Sequence, residues 1–171
     1  MPDTECRTDE ECLHDKQCEI QDNFHAACRD GKIEWAGQWL TALMELLESN
    51  DFSKFGAFYR KGFAVSCEAG QLEMAKWFLR TKRLSGKKVD IHGYLEEPFR
   101  LACKNGYLEV AKWLVSLSKK GYTPIDIDLI GDLVIHTARQ TQYDEMVIWL
   151  KSLYPQYQSD EEDEKDGAID A

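Results

Sequence analysis

The chain has 171 residues, 30% of them charged, and its 31 acids and 21 bases give a formal net charge of −10. That length suits one domain, and an acidic total argues against a nucleic-acid partner. No apolar run approaches the roughly 18 residues of a membrane span, and no charged-then-apolar leader opens the sequence. An intracellular, cytoplasmic protein with reduced cysteines is therefore expected. The charge is concentrated at the ends: residues 1–22 and residues 160–171 carry −6 each, leaving a near-neutral body.

Residues 1–21 form an acidic segment containing Cys6, Cys12, His14 and Cys18. Thiols and an imidazole this close together are zinc-ligand chemistry, and a structural site wants four such ligands. The spacing counts against it, since five residues separate each cysteine from the next and zinc sites use two to four. The surrounding acids also disfavour thiolates. A fraying or disordered helix is expected, with a metal- or redox-responsive site at these four residues as the alternative.

The body, residues 22–155, repeats itself. Gly70-Gln71-Leu72-Glu73-Met74-Ala75-Lys76-Trp77-Phe78 recurs 36 residues later as Gly106-Tyr107-Leu108-Glu109-Val110-Ala111-Lys112-Trp113-Leu114. Val89-Asp90-Ile91 recurs as Ile125-Asp126-Ile127, Phe63 as Phe99, and Cys67 as Cys103. An upstream copy runs from Phe24 through Cys28 and Gly31 to Glu34, at a spacing of 39 residues. A fourth copy holds Trp149 but has Gln142 where Gly106 stood. Four units with degenerate outer copies are the signature of a stacked array, in which each unit buries its apolar face against its neighbours.

The third copy is the clearest. Leu95, Phe99, Leu101 and Ala102 are spaced for one face of a short helix, with Pro98 in its first turn. Asn105-Gly106 ends that helix. Leu108, Val110, Ala111, Trp113, Leu114, Val115 and Leu117 form a second helix, apolar around much of its circumference. Lys119 to Pro124 is a turn-rich connector, and Ile125-Asp126-Ile127 is expected to be extended. The unit is helix, tight turn, helix and extended loop, which makes the fold all-α.

Glu97-Pro98-Phe99-Arg100-Leu101-Ala102-Cys103-Lys104-Asn105-Gly106 and the run after it resemble an ankyrin repeat, sharing Pro98, Leu101, Ala102, Gly106 and Val110 with that family's pattern. The A-K-W-L second helix resembles the divergent ankyrin proteins abundant in giant DNA viruses. The family's threonine is replaced by Glu97, and its histidine position holds Arg100 and Ala64 in the inner copies but His25 and His136 in the outer ones. Without the threonine–histidine bonds, the fingers are expected to be less rigid than the family norm. The resemblance implies an ankyrin-like solenoid that binds proteins through its fingers and first helices, as an adaptor or, if viral, a host-protein interceptor.

Cys28, Cys67 and Cys103 share one repeat position and are expected in the core. Full repeat widths of about 10 Å place them too far apart for disulfides. Trp77, Trp113 and Trp149 are expected between units. Arg80, Lys82, Arg83, Lys87 and Lys88 form a basic connector that Lys119 and Lys120 extend. With His92, Tyr94 and Tyr122 they are the expected partner-binding residues. Weak nucleic-acid binding through residues 80–88 is a further alternative. No phosphate loop, metalloprotease motif or nucleophile–base pair is present, so neither catalysis nor a cofactor is expected. The tail from residue 156 is acidic and aperiodic, and is expected to be disordered. Ser159 precedes Asp160-Glu161-Glu162, a pattern that acidophilic kinases favour. A monomer that binds a protein partner, with no membrane contact, is the expected form.

Overall fold

The computed structural model describes residues 9–46, 52–81 and 89–153, with side chains for 13–46, 56–81 and 89–153. Among them the structure is all-helical, as expected. Helices α1 (Asp9–Arg29) and α2 (Ile33–Leu46) form the first pair, and α3 (Phe52–Glu68) and α4 (Leu72–Arg80) the second. Helices α5 (Glu97–Lys104) and α6 (Leu108–Ser116) form the third, and α7 (Ile127–Gln140) and α8 (Asp144–Leu153) the fourth. The first helices pack in succession, α1 on α3, α3 on α5 and α5 on α7, and each carries its own second helix. The expected boundary at residues 21 and 22 falls inside α1, because Ile20 already packs against the core and draws the acidic segment into the helix.

The turn inside each pair is the same piece of chemistry four times. At the end of α5, the Tyr107 N–H donates to the Ala102 carbonyl at 2.9 Å and the Gly106 N–H to the Cys103 carbonyl at 3.2 Å. These bonds satisfy carbonyls that a helix end leaves open, and they require a left-handed residue at Gly106, whose φ is +75°. In the fourth pair Gln142 adopts φ +59° at the equivalent place. A side chain in that region carries strain of about 1–2 kcal/mol. Gln142→Gly is therefore expected to raise stability by about 0.5–1 kcal/mol once glycine's greater unfolded entropy is subtracted, a gain readable as a higher urea midpoint at unchanged slope.

The turns also interlock from pair to pair. The Tyr107 ring lies over Gly70, the Tyr143 ring over Gly106, and the Gln71 side chain over Gly31. Gln71 Nε2 donates to the Arg29 carbonyl at 3.0 Å, and Asn105 Nδ2 to the Glu68 carbonyl at 2.7 Å. Each bond takes up a carbonyl at the end of the preceding first helix.

Phe24, Phe63, Phe78 and Phe99 are fully buried, with Leu40, Leu43, Met74, Ile91, Leu114, Leu117 and Met146 among the large side chains around them. Cys28, Cys67 and Cys103 are free and fully buried in the same core, as expected. Burial pushes the Cys28 thiol up to about 12 and raises the other two further. The repeat tryptophans are half-buried and pack on the core from its edge. Trp113 reaches back to Phe63 in the preceding first helix, with ring centroids 6.4 Å apart, and Trp149 does the same to Phe99 at 6.3 Å.

Two further sequence expectations are corrected. Leu95 is not part of the third first helix; it lies before α5 with φ +50° and its side chain exposed. Ile127 is not extended but opens α7, because Asp126 caps that helix, its Oδ1 accepting from the Leu129 N–H at 3.1 Å.

His25 stacks on Phe58, ring centroids 5.1 Å apart, in the seam between α1 and α3. Burial lowers its pKa from the ordinary value of 6.5; a hydrogen bond with the Phe58 backbone and the Asp22 charge oppose the shift, and the nearby Lys61 and Arg29 reinforce it. In the interval below 6.5 the unfolded chain takes up a proton that the native chain does not, so this contribution is present above 6.5 and lost as pH falls towards the folded pKa. The urea midpoint is expected to drop between about pH 7.5 and about pH 5.5, and to drop less in His25→Phe, which keeps the stacking and removes the titration.

Candidate interaction surface

The segment before α5 departs furthest from regular structure. Gly93, Leu95 and Glu96 all have positive φ, at +51°, +50° and +56°. Leucine and glutamate rarely adopt this conformation, and residues held in it gather at functional sites when their surroundings enforce it. The enforcement is visible here. Asp90 Oδ1 accepts from the His92 N–H at 3.0 Å and the Gly93 N–H at 3.2 Å, starting the turn. The Glu97 N–H closes it onto the His92 carbonyl at 3.1 Å. Arg100 Nε donates to the Leu95 carbonyl at 2.7 Å and its Nη2 to the Tyr94 carbonyl at 3.2 Å. The Glu96 carboxylate is 5% exposed, lies 2.8 Å from His92 Nδ1, and accepts from the Asp126 N–H at 3.0 Å.

Glu96, His92 and Arg100 thus fix this segment from both sides. These bonds hold Tyr94 and Leu95 outward, 79% and 61% exposed. They also tie the tip to the start of α7, since Asp126, whose N–H reaches Glu96, is the residue that caps that helix. On α7, Leu129 and Leu133 are exposed, although Ile130, Val134, Ile135 and Ala138 of the same helix are buried. Tyr94 and Leu95 before α5, and Leu129 and Leu133 on the helix tied to that segment through Asp126 and Glu96, are four exposed apolar side chains mounted on hydrogen-bonded backbone. Asp126, Asp128 and Asp132 give the same end of α7 an acidic character.

The expected partner-binding residues fare unequally. Tyr94 faces solvent, but His92 is turned onto Glu96 and Tyr122 packs on the core. Lys119 and Lys120 are exposed in a short 3-10 helix, Leu117–Lys120, after α6. Arg80 ends α4, its Nη2 3.8 Å from Glu73 Oε2. Lys82, Arg83, Lys87, Lys88, Cys6 and Ser159 lie outside the described residues, as does the side chain of Cys12. No group of three or more possible metal ligands converges among the described residues, and none of their helices is long and apolar enough to cross a membrane.

Leu129 and Leu133 were legible as a second apolar row on α7, four residues apart and off the main stripe. Glu96 gave no signal, because a lone acid beside a loop reads as solvated until its partners are placed. Exposed Trp35, with the Lys32 ammonium 5.9 Å from its ring, is another aromatic that the repeat pattern did not single out. Compared with protein-family profiles, with curated proteins and with solved structures, the chain matches none.

Proposed function

We propose that this chain is a non-enzymatic, ankyrin-like repeat module that binds a protein partner through the finger before its third helix pair and through α7. The observation that carries the reading is the display of Tyr94 and Leu95. Two large apolar side chains are held in water on a strained backbone that buried Glu96 and Arg100 keep in place. Exposed strain with no gain in core packing is the mark of a preorganised contact, because ordering before binding lowers the entropy lost on association. Aromatic anchors of this kind carry much of the energy at protein interfaces. The period of 36 residues, the succession of first helices and the shared turn chemistry support the ankyrin-like reading.

The test is an affinity capture with wild-type protein and with Tyr94→Ala/Leu133→Lys, both checked for equal cooperative melting. Surface changes of this kind leave stability within about 0.5 kcal/mol. A protein retained by wild type and lost by the double variant fits the reading. Equal retention by both would move the interface elsewhere.

A further inference from the structure

Among the described residues, one pair of metal-ligating side chains is brought together outside the interaction surface. His14 and Cys18 stand one turn apart on α1, both exposed, with Cys18 Sγ 3.7 Å from His14 Nδ1. A tetrahedral zinc ion with a Zn–S bond of about 2.3 Å and a Zn–N bond of about 2.0–2.1 Å holds those two atoms about 3.6 Å apart. The pair therefore already stands at the bite distance of half a zinc sphere, on a helix that fixes its spacing.

We propose that His14 and Cys18 form a zinc half-site that a second copy of this chain completes, giving a two-fold N2S2 centre and a metal-dependent dimer. Three observations favour a second copy as the source of the other ligands. No third ligand joins the pair among the described residues. Both side chains are exposed, so none of the described residues covers them. An exposed pair on one helix also meets its own image across a two-fold axis, which is the commonest closed symmetry. Asp15 and Glu19 flank the pair on α1. Their charge attracts a cation and opposes the approach of a second acidic helix, so apposition depends on the metal. On binding, each Cys18 thiol gives its proton to the buffer and the sulfur coordinates as thiolate, while each His14 ring coordinates in its neutral form.

The test titrates zinc chloride into the full chain under a non-thiol reductant and follows it by sedimentation velocity, with cobalt(II) as the spectroscopic stand-in. The expected result is a doubling of mass that saturates at one zinc per two chains and reverses with chelator, and a cobalt spectrum with thiolate charge transfer and tetrahedral band intensity. His14→Ala and Cys18→Ser, whose exposed positions leave the helical circular dichroism unchanged, stay monomeric, whereas Cys6→Ser/Cys12→Ser dimerises like wild type. Saturation at one zinc per chain without dimerisation overturns the proposal. So does dimerisation that survives Cys18→Ser, or that is lost in Cys6→Ser/Cys12→Ser.

Discussion

Gly106→Ala is expected to destabilise the protein by about 2–4 kcal/mol. Two effects add. The left-handed backbone at φ +75° carries about 1–2 kcal/mol of strain for any residue with a Cβ. The new methyl would also sit 2.7 Å from Cδ1 and Cε1 of Tyr143, so the ring must move off the turn it covers, a small-to-large change of about 1–3 kcal/mol. The ring is rigid, so it yields by swinging away from the turn about its side-chain torsions, loosening the contact between the third and fourth pairs. Urea denaturation reads the loss as a lower midpoint. A companion variant separates the two terms. Gly106→Ala in a Tyr143→Ala background meets no ring and retains only the backbone part. A full loss in that background would mean that the ring approach contributes nothing.

Trp113→Ala is expected to cost about 3 kcal/mol, the lower end of the range for truncating a packed tryptophan, because the side chain is half-buried. Its importance comes from where it reaches. The indole bridges from α6 back to Phe63 on α3, so its removal weakens the join between the second and third pairs. Stability in a stacked array is a sum of unit and interface terms. The melting transition should therefore broaden as well as shift, as one side of the array loosens before the other. A single sharp transition at the wild-type temperature would place the indole outside the packing that holds the units together.

The period of 36 residues was enough to place the pairs, since the turn glycine, cysteine and tryptophan recur in the two inner copies, and the outer copies keep enough of them, Cys28 and Gly31 in the first and Trp149 in the fourth, to hold the frame. The paired helices, the turn at Asn105-Gly106, Pro98 in the first turn of α5, and the burial of Cys28, Cys67 and Cys103 all follow from spacing and residue type. Helix α1 exceeded its expected limit because a polar sequence conceals a single inward row, of which Ile20 is one member. Leu95 was misplaced because its spacing to Phe99 is helical, and periodicity does not register a backbone that has turned left-handed.

The sequence by itself determined the all-α class, the number of repeating units, the turn residues and most of the core. These depend on interactions within about ten residues or on apolar periodicity, which the chain carries openly. Tertiary structure alone decided that Tyr107 and Tyr143 lie over the glycines of the preceding turns, that Trp113 meets Phe63, and that Glu96 joins His92 to the start of α7. It alone decided, too, that Tyr94 and Leu95 face water. The reason is physical: a polar or aromatic side chain has similar local preferences whether solvated or partnered, and only the approach of a distant backbone amide or ring fixes which of the two it is.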